Sequence, residues 1–155
     1  MQTTALGRND AALMTPVYAA AEYSLTAGAG TDAAEQTLAV IDLATAFDTK
    51  RFASATLVLA ATATLAEAKT LVLGTAKWEH SDDGVTYTAV KAGVTALTLT
   101  GPTGGATVKG AAVLGLNVAE AKRYVRAKYT PDLNASGTDT AKVSSVYLFS
   151  NPSLI

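Results

Sequence analysis

His80, Ser81 and Asp82 are the three residue types of a hydrolytic triad, and they stand consecutively in the chain. A triad needs three side chains converging on one point, whereas successive residues of a strand point to opposite faces. The tripeptide therefore reads as a strand running into a turn. Residues 101–110 (GPTGGATVKG) have the glycine density of a phosphate-binding loop, yet Ala111 follows the last glycine where such a loop needs Lys and then Ser or Thr. Asp132, Asn134, Ser136 and Gly137 imitate the opening of a calcium loop, but Val143 stands where a bidentate glutamate should close the cage. With no cysteine and one histidine, the chain has no disulfide framework, thiol nucleophile, thiolate metal site or multi-histidine centre. The residues predict a non-enzyme that uses no cofactor and no metal.

What remains for function is surface. Lys122, Tyr124, Arg126 and Lys128 alternate along one predicted strand and put a basic stripe on one of its faces. Such a stripe is either a solvated face that discourages edge-to-edge pairing or a docking patch for an acidic protein surface. Twelve basic against thirteen acidic side chains give a net charge of -1, too balanced for a general nucleic-acid binder. Arg8, Asn9 and Asp10 interrupt the apolar core that a signal peptide would need, and no stretch is apolar for long enough to suggest a membrane span. Cytoplasmic synthesis and no membrane partner are the expectation.

The elements that must carry these residues follow from a period of two. Its 155 residues, 49% of them hydrophobic and 16% charged, suit one compact domain. Alanine and threonine are abundant, but they are interleaved with Val and Gly, so the alternation and not alanine's helix propensity decides. Residues 38–43 (LAVIDL) read as a short strand. In residues 55–62, Leu57, Leu59 and Ala61 share one face and Thr56, Val58 and Thr62 the other. In residues 71–80, Val72, Gly74, Ala76, Trp78 and His80 are expected on one face, with Trp78 as a core anchor. Residues 81–84 (SDDG) form a turn, followed by a hairpin return over 85–90. Residues 96–100 point Leu97 and Leu99 inward. Residues 106–116 make a glycine-interrupted strand or a pair of strands, residues 123–130 a strand stopping at Pro131, and residues 141–150 the last strand before Pro152. Helix is limited to a turn or two at 65–69 and one turn at 117–122, where Asn117 can cap and Glu120 sits at the capping-box position. Residues 1–37 read as an arm or edge segment and residues 38–155 as the sandwich domain. About eight short strands separated by turn signals predict an all-β fold, an antiparallel sandwich of jelly-roll type.

The order Trp78-x-x-Ser81-Asp82-Asp83-Gly84-x-x-Tyr87, followed by Arg123-Tyr124-Val125-Arg126, resembles two groups of proteins across roughly residues 39–149. One is the discoidin-like, galactose-binding-like sandwich family, which implies a carbohydrate ligand. The other is the set of small Ala/Thr/Gly-rich tailed-bacteriophage virion proteins that decorate or cement the capsid. That second resemblance, favoured by small size and the lack of cysteine, implies a homo-oligomer, dimer or trimer, on the capsid exterior, with the major capsid protein as partner. A place in the head–tail region or the tail is the variant of the same reading. The interface candidates are Tyr18 and Tyr23 in the N-terminal arm, Lys122, Arg126 and Lys128 in the stripe, and Phe149, Leu154 and Ile155 at the C-terminus.

Overall fold

The computed structural model of the chain describes residues 13–47, 50–134 and 137–154. Its strands are β1 (Met14–Thr26), β2 (Gln36–Thr37), β3 (Ile41–Asp42), β4 (Lys50–Leu65), β5 (Thr70–Ser81), β6 (Thr88–Ala89), β7 (Leu97–Thr100), β8 (Ala106–Asn117), β9 (Tyr124–Leu133) and β10 (Thr140–Leu154). All pairings are antiparallel. One sheet runs β1-β10-β4-β8; in the other, β9 and β5 are central, with β2 and β3 along the free side of β9 and β6 and β7 along the free side of β5. Because β2 and β3 share one sheet position, and β6 and β7 another, ten strands minus two leaves eight. Their orders are then 1-8-3-6 and 2-7-4-5, the double Greek key of a jelly roll. The fold class expected from the alternation is the one observed.

Every second residue of β4 from Ala55 to Leu65 is buried, and Ala141, Val143, Tyr147 and Phe149 do the same for β10. Leu71, Leu73, Ala76 and Trp78 of β5 and Val125, Ala127, Tyr129 and Leu133 of β9 supply the other wall. Small alanines and large aromatic rings share this core. Phe47, Phe52 and Phe149 form one cluster, with centroids 4.6–5.8 Å apart, and Trp78 lies 5.1 Å from Tyr147. Two polar ties cross the core: Trp78 Nε1 donates to the Leu114 carbonyl at 2.9 Å, and the Tyr147 hydroxyl accepts from Ala127 N at 2.9 Å while donating to the Ala39 carbonyl at 3.1 Å.

Several expectations need correction. The face assigned to β5 changes midway: Leu71 and Leu73 are buried instead of Val72 and Gly74, and Ala76 and Trp78 then take over the inward side. The register against β9 breaks between Gly74 and Lys77, where Thr75 sits at φ +48°, so one extra residue shifts the phase. β9 does not stop at Pro131. The Pro131 carbonyl accepts from Ala33 N, and a strand residue's N and O point to the same side, so the missing N–H faces away from β5. β10 likewise continues past Pro152, beyond the end of β1, and pairs with β4 as far as Leu154. Residues 38–43 are strand only at Ile41–Asp42, and the return after the turn pairs only at Thr88–Ala89. β8 is one unbroken strand in continuous register with β4, so its glycines mark no bulge.

Residues 14–26 of the presumed arm form β1 at the edge of the four-stranded sheet. The 3₁₀ turn Val118–Glu120 is capped by Asn117, whose side chain accepts from Ala119 N and donates to Glu120. Among the described residues no helix is long and apolar enough to cross a membrane.

Candidate interaction surfaces

The sandwich presents two outer faces of opposite character. On the six-stranded sheet, the outward residues of β5 and β9 are charged and meet in a network around Glu79, whose side chain is 8% exposed. Arg126 approaches Glu79 at 2.8 Å, Lys77 at 3.4 Å and Lys128 at 3.9 Å, while Glu35 takes Lys128 at 2.7 Å. The Lys128 ammonium bonded to Glu35 holds that carboxyl below its usual range. The Arg126 guanidinium also lies 3.7 Å above the Tyr87 ring, a cation–π geometry. Burial pushes the Tyr87 hydroxyl upward despite that cation. Lys122 pairs with Asp82, and Arg123 grips Asp42 through two bonds of 3.0 and 2.7 Å, which hold the Asp42 carboxyl at about 2. The predicted basic stripe is thus present as residues, but its three cations each face an acid from this same chain.

The four-stranded sheet has no such network across its middle. Its registers align Tyr18 with Val146, Val146 with Val58, and Val58 with Val113, so one outward apolar row crosses all four strands. The next row is Pro16, Leu148, Thr56 and Gly115. Tyr18 and Val113, at the two edges, are each 68% exposed, and Met14 follows on the same side of β1 at 45%. Of the six exposed large apolar side chains among the described residues, three therefore lie on this one face. Towards the other end the next outward row is small, Ser144, Ala60 and Ala111, and the row after it carries Lys142, Thr62 and Lys109. There a shallow depression of about 570 Å³ is lined by Ala60, Ala111 and Ser144 together with Lys109, Lys142 and Glu22. Lys142 and Glu22 pair at 2.8 Å.

The candidate residues separate accordingly. Tyr18 is exposed on the apolar row; Tyr23 is half-buried, its hydroxyl donating to the Thr31 carbonyl at 2.9 Å. Phe149 is fully buried between Phe47 and Phe52 and belongs to the core, because β10 alternates and Phe149 falls on its inward phase. Leu154 ends β10, while Ile155 and residues 1–12 of the arm lie outside the described residues. Val58, Val113 and Val146 were not among the candidates. Their signal was in the sequence: outward phases of three long strands occupied by valine where a solvated face would carry polar side chains.

The chemical look-alikes resolve as structure. Ser81 Oγ donates to Asp83 at 2.7 Å and accepts from Gly84 N at 3.0 Å, so the His-Ser-Asp run closes a turn. Asp83 in turn accepts from Val85 and Thr86 N–H groups at 2.8 Å, and these bonds with Ser81 hold its carboxyl at about 2. Gly84 takes φ +73° there. Ser136 of the calcium-like run is outside the described residues, and among the described residues no three His, Cys, Asp or Glu side chains are grouped to hold a metal.

The eight-stranded jelly roll is a scaffold shared by viral shell, lectin and cupin domains. Comparison with family models and with curated protein sequences gives no match. Among solved structures, the chain is similar to part of a chain in the infectious bursal disease virus Gx strain, at 16% identity and a TM-score of 0.44 over 88% of this chain and 32% of that one. It is similar to a chain of the T=1 particles derived from infectious bursal virus at 14% identity and a TM-score of 0.48, over 88% and 30%. Against the empty Kashmir bee virus particle at acidic pH the values are 14% and 0.36, over 91% and 92%. The chain spans about a third of the length of the bursal virus chains it matches.

Proposed function

We propose that the chain is a structural virion protein that decorates or cements a bacteriophage capsid, with the major capsid protein as its partner, and performs no catalysis. The observation that carries this reading is the apolar row Tyr18–Val146–Val58–Val113 across an outer sheet face. A monomer that works alone has no use for such a row, whereas a protein whose task is to be held by neighbours needs one. The jelly roll supports the reading at the level of the scaffold only. The mechanism is added contact area: modest contacts per subunit, repeated over a lattice, resist internal pressure through avidity.

Shells of the capsid protein encoded in the same genome, purified with and without this chain, test the proposal. The chain is expected to co-sediment with the shells, to appear as extra density on their exterior, and to raise the temperature at which they rupture. Absence of binding together with unchanged shell stability would overturn it.

A further inference from the structure

We propose that the outer face of the four-stranded sheet is a self-association surface on which a second copy of this chain seats face to face. Three observations point to a second copy. The first is size. Four strands spaced about 4.8 Å apart, each contributing about a dozen residues of roughly 3.3 Å, give a face of roughly 760 Å². That is close to the roughly 800 Å² that each partner contributes to a standard stable interface. The second is flatness. The two middle outward rows carry Val146, Val58 and Val113 and then Ser144, Ala60 and Ala111, with Leu148 in the row on one side and Lys142 and Lys109 in the row on the other. The middles of two such faces can therefore approach towards the spacing of about 10 Å at which sheets stack while the lysine head groups stay in water.

The third is self-complementarity. Tyr18 projects from the β1 edge at 68% exposure, and the depression over Ala60 and Ala111 lies on the same face, displaced from Tyr18 along the strands. A two-fold axis lying in the contact plane that carries Tyr18 onto the partner's depression carries the partner's Tyr18 onto this one, which is the defining property of an isologous contact. The phenol then buries its ring on alanine, with its hydroxyl within reach of the polar lining residues Lys109, Lys142 and Ser144. The opposite sheet offers no rival surface of this kind, because its outward charges are paired within the chain.

The proposal deepens the virion reading and rests on it for the role the dimer plays, but the dimer itself is measured on the free chain. In sedimentation equilibrium, the full-length chain is expected to dimerise at micromolar concentrations. Tyr18→Glu and, separately, Val113→Glu are each expected to weaken the dimer by about thirty-fold or more, the effect of one hot-spot side chain. Their thermal unfolding should match a control, Thr98→Glu, at an exposed position of β7 in the opposite sheet. A wild-type chain that stays monomeric, or a dimer that survives both substitutions, overturns the proposal. A monomeric wild type whose shell binding is abolished by Tyr18→Glu also overturns it, because the face then belongs to the shell. Failure to bind shells by a chain that does dimerise through this face removes the decoration role and leaves the dimer standing.

Discussion

Glu79 stands at the point where three cations meet, and removing its charge should be more costly than removing any one of theirs. Its side chain is 8% exposed, with Arg126 at 2.8 Å and Lys77 at 3.4 Å. Glu79→Gln leaves those cations facing each other across a half-buried surface, and a loss of about 2–3 kcal/mol in urea unfolding is expected. Tyr147→Phe isolates a different cost. The hydroxyl fills the gap between β2 and β3 along β9, where Ala127 N has lost its ladder partner, so the phenylalanine keeps the ring packing but strands a buried N–H. About 1–3 kcal/mol should be lost, with the fold retained by circular dichroism. Asp83 supplies a pH readout. Its folded pKa of about 2 lies below its ordinary 3.8, so the turn's stabilisation is complete above about pH 4 and is lost as pH falls towards 2. The Val85 and Thr86 amide signals should shift over that window in an NMR titration and stay constant above it. The turn chemistry around Asp83 was legible from residue types alone. The Tyr147 tie was not, because a tyrosine on an inward phase says nothing about which distant backbone group its hydroxyl will meet.

At the scale of elements, the alternation carried most of the fold, and it failed where a single residue changed the phase. β4, β8 and β10 keep unbroken registers, and the inward set of β4 could be read directly from the sequence, whereas apolar residues on both phases near the end of β10 hid that Phe149 points inward. β5 could not, since Thr75 at φ +48° is a β-branched residue in a conformation that sequence does not advertise. The prolines misled for the opposite reason: Pro131 and Pro152 signal a break only if their missing N–H is needed by a neighbour, and that depends on the edge they face. Two glycines show the same dependence on surroundings. A Cβ on Gly101 would lie 2.0 Å from the Ala66 carbonyl, between two backbone bonds that tie the chain after β4 to the chain after β7. Nothing lies within 4 Å of one on Gly115, outward on β8. Gly101→Ala is therefore expected to destabilise by about 2 kcal/mol or more, and Gly115→Ala to stabilise by about 0.5–1 kcal/mol through the lost freedom of the unfolded chain. Differential scanning calorimetry of the pair compares them directly.

For the molecule as a whole, the two outer faces make different demands on solvent, and salt separates them. The charges most visible in the sequence, Lys122, Arg126 and Lys128, are matched within the chain by Asp82, Glu79 and Glu35. The partners of a strand's charges lie on other strands, so the stripe could be read from one segment and its neutralisation could not. If the four-stranded face mediates dimerisation, the dimer should persist when sodium chloride rises from about 0.1 M to about 1 M. Over that range the screening length falls from about 10 Å to about 3 Å, which weakens contacts between exposed charges while leaving apolar burial intact. Sulfate at equal ionic strength should strengthen association, since it raises the cost of keeping apolar surface in water. Sedimentation of the free chain across the two salt series reads the dimer fraction directly. Loss of the dimer in sodium chloride would return the contact to the basic residues, because Tyr18, Val58, Val113 and Val146 carry no charge for the salt to screen.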